Sequence, residues 1–388
     1  MPLCVQCPRT YPREAFSLID AAGNRLAEPR PSLFNRLGRL LERTPPLAHR
    51  AENRRVAEAL ARQRLGAAWR CPAGHVQPED FRSVRQIVIG LVGPTATTKS
   101  SYLGSLLYQL TNHAVLSDMG LRFSIIDEPS RRRWEQYYEG QLRNRRAPGT
   151  TLRPNAEEQT PPLVVRMTVT PPAGRDARYD LVFFDSAGEV QQTGRDVAVH
   201  SPFVQLMDAA CVFYTPKALR FPREVYRLPA EEQSQTAPGP SRVVGTLTTL
   251  LAQLSQHPSY VGRHPARDLP IAAVLSKADE LVDLLPLEFG GAEFTSLPLD
   301  ASYFDDPLGS QERQGQLPYE ITRRYGGAGI LQAIEQLSRL RSYHAVSAMG
   351  CEPDEQGVFA DYRPLNVAEP LLAVLHGLRL IGRPGTYV

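Results

Sequence analysis

Gly93-Pro94-Thr95-Ala96-Thr97-Thr98-Lys99-Ser100-Ser101 follows the apolar run Ile87–Val92 and leads into an amphipathic stretch, Ser100–Gln109. A strand, a loop of small residues and a helix, in that order, offer successive backbone N–H groups and a helix N-terminus to an anion, which is how nucleotide phosphates are cradled. Lys99 would neutralise the β- and γ-phosphates, and the Ser100 hydroxyl would bind Mg²⁺. Position 98 is Thr where the pattern expects Gly, and its side chain crowds the turn into the helix. Reduced phosphate affinity is the expected consequence.

Three further segments repeat the theme of polar residues just past an apolar run. Asp185-Ser186-Ala187-Gly188 follows the run ending at Phe184 and puts a carboxylate where it can hold Mg²⁺ through water while the Gly188 N–H reaches a γ-phosphate. Ser276-Lys277-Ala278-Asp279 follows Ile271–Leu275. A carboxylate at 279 can accept from guanine N1–H and the 2-amino group, a pair adenine does not offer, and Lys277 would lay its aliphatic stem along the base. Ser347-Ala348 follows His344–Val346, where a backbone N–H can meet guanine O6.

A different chemistry opens the chain. Cys4-x-x-Cys7 and Cys71-x-x-x-His75 are two knuckle-like turns that can supply thiolates and an imidazole to tetrahedral Zn²⁺. Four protein ligands leave no open position for a substrate, so such a site is structural. Cys211 lies within an apolar run and reads as a core residue, and Cys351 has no nearby ligand partner.

The elements that must position these residues are legible as strand-sized apolar runs separated by amphipathic stretches. The runs are Ile87–Val92, Leu163–Thr170, Asp180–Phe184, Ala209–Tyr214, Ile271–Leu275 and His344–Val346; helical patterns cover Ser100–Gln109, Ser241–Leu254, Ile330–Arg341 and Val367–Leu380. That alternation predicts an α/β fold with a doubly wound, mostly parallel sheet. Leu163–Thr170 alternates apolar and polar residues, an edge-strand pattern. Three long connections, Asn112–Pro162, Thr215–Pro240 and Glu280–Gly329, read as partner surfaces or moving segments. The organisation expected is a zinc-ribbon-like module at 1–80 carrying an Arg-rich helix at Asn53–Leu65, followed by a nucleotide-binding domain at 85–388.

Of 388 residues 42% are hydrophobic and 22% charged, an ordinary globular balance. No apolar stretch approaches the ~20 residues of a membrane-spanning helix, and no leader-like segment opens the chain, so a cytoplasmic protein is expected. The net charge of +3 does not imply a nucleic-acid partner. Arg131–Arg133 and Arg143–Arg146, interleaved with Trp134, Tyr137 and Tyr138, could touch nucleic acid, but Glu135 and Glu139 favour a solvated amphipathic helix. Of the 44 basic residues only three are lysines, Lys99, Lys217 and Lys277. Two of them fall within the motifs above.

The four nucleotide motifs in this order resemble the P-loop GTPases of the translation-factor and Ras-like (TRAFAC) class over roughly residues 85–382. With its zinc-ligand-like start and long connections, the chain looks most like bacterial double-GTPase-type proteins of conflict and defence systems. The resemblance implies Lys99 and Ser100 as phosphate and Mg²⁺ residues, Asp185 and Gly188 as γ-phosphate sensor, and Lys277 and Asp279 as base readers. It also implies a Mg²⁺-binding switch threonine before Leu163: Thr150, Thr151 or Thr160, with Thr151 preferred. Glu189 stands where many relatives have the Gln that orients water, and a carboxylate there repels a γ-phosphate. The expected protein is therefore a GTP- and Mg²⁺-binding switch that hydrolyses GTP slowly and works through protein partners. Its rivals are a pseudo-GTPase scaffold without efficient turnover and a P-loop kinase or ATPase.

Overall fold

The computed structural model describes residues 3–4, 7, 9–10, 15–20, 25, 68–77, 80, 84–94, 97–112, 116–146, 162–170, 176–185, 204, 206–221, 243–249, 269–282, 285–354 and 356–382. The chain divides into two compact units, Met1–Gln86 and Ile87–Val388. In the first, β1 (Leu3–Cys4) and β2 (Arg9–Thr10) pair antiparallel. A second antiparallel sheet has the order β3 (Ser17–Ile19), β4 (Ala68–Arg70), β5 (Val76–Gln77). Among the described residues of this unit, Cys4, Phe16, Leu18, Trp69 and Cys71 form a hydrophobic cluster. The helix expected at Asn53–Leu65 lies outside the described residues.

The second unit is built on a seven-stranded sheet. Its strands are β6 (Arg85–Val92), β7 (Leu121–Ile125), β8 (Leu163–Val169), β9 (Ala177–Asp185), β10 (Ala209–Tyr214), β11 (Ile271–Ser276) and β12 (Arg341–Val346). They lie in the order β12-β11-β10-β6-β9-β8-β7. β12, β11, β10 and β6 pair parallel, while β9, β8 and β7 form an antiparallel meander. The parallel strands β10 and β11 are buried along their whole length, which is why their sequences are unbroken apolar runs.

Helices α1 (Lys99–Asn112), α2 (Glu128–Trp134), α3 (Gly140–Arg143), α4 (Leu285–Glu288), α5 (Pro307–Arg324), α6 (Ala328–Leu337) and α7 (Glu369–Gly377) surround the sheet, and residues 243–249 are also helical. A π-helical turn, Glu135–Glu139, joins α2 to α3. Packing is tight where the elements meet: the rings of Tyr102 on α1 and Phe213 on β10 lie edge to face at 5.0 Å.

Three expectations need correction. β8 is not an edge strand: β7 pairs with its outer side, and the alternation of β8 reflects one covered face. On the other face Arg166 reaches Asp180 of β9 with two bonds of 2.8 and 3.1 Å. The connection Asn112–Pro162 contains β7, and Glu280–Gly329 contains the 18-residue helix α5. The pattern Ile330–Arg341 is helical only to Leu337, because Arg341 already opens β12.

Glu369, 3% exposed, opens α7 inside the main core. Burial pushes its carboxyl up to about 7 from 4.5, against the backbone N–H groups of Glu369, Ala368 and Leu297 that hold it down. The unfolded chain sheds this proton first, so between these two values the folded chain binds more protons and stability falls as pH rises. Glu369→Gln is expected to be more stable than wild type at pH 7 by on the order of 1–3 kcal/mol and to match it at pH 4. Thermal melts across that range decide it.

Candidate functional site

Strand register sets the site. Val212 lies opposite Val92, Tyr214 opposite Leu275 and Ser276 opposite Val346, so the segments that follow β6, β10, β11 and β12 leave the parallel sheet at one edge. Doubly wound sheets bind ligands at this carboxyl edge.

The loop after β6 closes on its own lysine. Gly93 has no room for a side chain: a Cβ there would stand 2.6 Å from the Phe213 carbonyl oxygen. Lys99 Nζ donates to the carbonyls of Gly93 (2.7 Å) and Pro94 (2.9 Å) and to Thr97 Oγ1 (3.3 Å). Burial lowers its pKa to about 8, and the Asp185 charge opposes the shift. Thr98 is left-handed, φ 56°, which is why the pattern prefers Gly there; for a β-branched residue this conformation costs about 1–2 kcal/mol. Ser276 Oγ, at the end of β11, has one proton shared between the carbonyls of Thr97 (3.1 Å) and Tyr214 (3.2 Å), which ties the loop to two strands. Ser101 continues α1; Thr95 and Ala96 lie outside the described residues.

Asp185, last residue of β9, is drawn to this loop by Ser100, whose Oγ donates to Oδ2 at 2.6 Å. Tyr138 Oη donates to the same oxygen at 3.5 Å, and an Arg133 guanidinium nitrogen lies 3.9 Å away. Asp185 is 3% exposed, and its Oδ1 is buried with no hydrogen-bond partner among the described residues. A hydroxyl and a carboxylate side by side, one carboxylate oxygen unsatisfied, are a hard-oxygen donor set that fits Mg²⁺. Thr150, Thr151, Thr160, Gly188 and Glu189 lie outside the described residues.

Arg133 and Tyr138 correct the reading of their segment as a solvated helix. Arg131 and Arg132 are exposed, whereas Arg133, Trp134, Tyr138 and Leu142 are buried. The spacing of four residues from Trp134 to Tyr138 to Leu142 is the signal that marks this inward stripe.

At the other end of the edge, Lys277 is also left-handed, φ 57°, and its Nζ meets Glu280 Oε1 at 2.9 Å. Asp279 is partly exposed in the helical turn Ala278–Leu281. The Ser347 N–H is committed to the Leu365 carbonyl at 3.0 Å and its Oγ accepts from Gly350 N–H at 2.9 Å, so of the expected pair Ser347 and Ala348 the first has its backbone donor engaged. Lys217, just past β10, has its ammonium pKa lowered by burial and by Lys277, while Glu280 and Glu352 hold it up. All three lysines of the chain thus stand at this edge.

In the first unit Cys4, Cys7, Cys71 and His75 bring their ligand atoms within 4.8 Å of one another. His75 Nδ1 lies 3.8 Å from Cys4 Sγ and 3.6 Å from Cys71 Sγ, close to the roughly 3.6 Å edge of a tetrahedron with Zn–S and Zn–N bonds of about 2.3 and 2.0 Å. The second knuckle is a backbone turn: Cys71 N–H donates to His75 O and Gly74 N–H to Cys71 O, both at 2.9 Å, with Gly74 at φ 92°. Gln77 Nε2 donates to Cys4 Sγ at 3.4 Å from outside the cluster. These residues fit Zn²⁺. Cys211 is a buried core residue, its thiol pushed up to about 12 by burial, and Cys351 donates to the Asp361 carbonyl at 3.2 Å.

The second unit is thus an α/β domain on a mostly parallel sheet with a lysine-bearing loop at its carboxyl edge, and the first carries a metal-ligand cluster. Among the described residues no helix is long and apolar enough to cross a membrane. The chain matches no family model. It is similar, at 28% identity over 349 residues that cover 84% of each chain, to a Mycolicibacterium smegmatis protein provisionally named ESX-1 scaffolding and assembly protein SaeC.

Proposed function

We propose that the chain is a Mg²⁺-dependent guanine-nucleotide-binding protein whose nucleotide state governs its contacts in a protein assembly. The observation that carries this reading is the joining of Lys99, Ser100 and Asp185 at one sheet edge, with Ser276 tying the loop to the strand that leads into Lys277 and Asp279. In this reading the loop amides and Lys99 hold the phosphates, Ser100 and Asp185 hold Mg²⁺, and Asp279, Lys277 and Ala348 read the base. The metal would supply charge neutralisation at the phosphates. Lys99 must then exchange its bonds to loop carbonyls for phosphate oxygens, keeping its three donors satisfied. The Cys4, Cys7, Cys71 and His75 cluster holds a structural Zn²⁺, and the assembly role draws on the scaffolding name of the relative.

A nucleotide-binding scaffold without turnover is the second reading. The strained Thr98 and the self-satisfied Lys99 favour it, because both oppose tight phosphate capture.

The deciding measurements are nucleotide extraction from protein purified in Mg²⁺, titration with GDP, GTP and ATP, and single-turnover hydrolysis of wild type and Glu189→Gln. Slow wild-type hydrolysis is expected, with hydrogen exchange over residues 150–160 and 185–189 differing between GDP and a non-hydrolysable GTP analogue. Identical exchange in both states would favour the scaffold. Fast turnover abolished by Glu189→Gln would instead make Glu189 catalytic.

A further inference from the structure

The charge beside Asp185 has a source that the nucleotide motifs do not include. Arg133 belongs to α2, far from the phosphate loop in sequence, yet its side chain is 8% exposed and points at a carboxylate that is 1% exposed. A buried carboxylate must be compensated. Among the described residues that compensation comes from Arg133 at 3.9 Å, from the hydroxyls of Ser100 and Tyr138, and from the nearby Lys99 charge. Oδ1, which has no hydrogen-bond partner among the described residues, leaves this set open to a further ligand.

We propose that Arg133 is a built-in stand-in for the divalent cation: it neutralises Asp185 until Mg²⁺ arrives with nucleotide, and the metal must then displace it. The inference rests on the nucleotide reading and names the segment that registers site occupancy. A dipositive ion and a guanidinium compete for the same carboxylate and repel each other, so metal binding and the Arg133 contact are coupled. The coupling has a mechanical outlet. Ser130, on the same helix, accepts from Val164 N–H at 2.8 Å and pins the start of α2 to β8. Beyond Arg133 the chain enters the π-turn, where Trp134 and Tyr138 stack with centroids 6.0 Å apart. Tyr138 packs so closely on α1 that a Cβ at Gly104 would come within 2.6 Å of its ring. Release of Arg133 therefore loosens the segment 133–143 from the helix that carries Lys99 and Ser100.

The test uses the full chain and reads the Mg²⁺ concentration at which GDP is half retained. Arg133→Gln should lower that midpoint about tenfold, and Arg133→Lys should stay near wild type. In the wild type, hydrogen exchange over 128–143 should rise when GDP is bound in Mg²⁺ compared with GDP in chelator, a readout that needs no variant. An unchanged or raised midpoint in Arg133→Gln, or identical exchange in the two wild-type samples, would overturn the proposal while leaving nucleotide binding intact. Failure of the wild type to retain GDP at any Mg²⁺ concentration would overturn the nucleotide reading and this proposal together.

Discussion

Asp279→Ala should weaken GDP and GTP binding by about a hundredfold while leaving the phosphate loop in place. The side chain sits in the turn after β11, partly exposed, two residues beyond the left-handed Lys277. In the proposed pose its two oxygens take both donors of the guanine edge, and truncation leaves those donors unpaired in the bound state. That costs a few kcal/mol. Asp279→Asn should move preference toward xanthine nucleotides, because an amide can accept from N1–H and donate to the 2-oxo group. Wild-type protein that binds ATP as tightly as GTP would remove the basis for both expectations. Calorimetric titration with the four nucleotides is sufficient.

The parts of this site that were legible in the sequence are those where one residue type has few structural uses. A lysine after a run of small residues, a carboxylate directly after a buried strand and two cysteine knuckles each carry their chemistry locally. The structure brings two of these residues together: Ser100 Oγ donates to Asp185 Oδ2 at 2.6 Å. What stayed hidden depends on context that local pattern does not hold. β7 is five residues, Leu-Arg-Phe-Ser-Ile, too short for its alternation to stand out. α5 contains Gly309, Gly315 and Pro318, which argue locally against a helix. Its placement explains them in part: a Cβ at 315 would stand 3.1 Å from the Tyr343 carbonyl oxygen, so Gly lets the helix approach β12. Arg133 was obscured by its exposed neighbours Arg131 and Arg132, and only the tertiary position of β9 distinguishes it from them.

Removal of metal should be the most damaging single treatment for the first unit. Its described hydrophobic cluster is Cys4, Phe16, Leu18, Trp69 and Cys71, and two of these are proposed ligands, so the proposed metal site and the packing of this cluster stand or fall together. Structural Zn²⁺ sites contribute about 10–16 kcal/mol of apparent binding free energy. Metal analysis of protein kept free of chelator should find about one zinc per chain. Cys7→Ser combined with Cys71→Ser should bring that toward zero, and chelation should raise hydrogen exchange across residues 68–77 to unfolded levels. A metal-free wild type with native protection there would refute the site.

The two halves of the large sheet differ in the reach of their contacts, and this orders the assembly of the molecule. The β8–β9 hairpin of the meander closes locally: the Arg166–Asp180 pair spans 14 residues. The strand that launches the phosphate loop is held from far away, Val88 by Asp208 across 120 residues and Thr97 by Ser276 across 179. Loop-closure entropy makes distant pairings slow to form, so β8 and β9 can pair while the parallel half is still open. On the ribosome the β8–β9 hairpin can condense as soon as it emerges, but the carboxyl edge proposed to bind nucleotide, which draws residues from Gly93 to Ala348, must wait for nearly the entire chain. Pulse-labelled exchange should protect β8 and β9 before β10 and β11. A chain stalled before β12 should carry a formed hairpin and no competence to hold nucleotide.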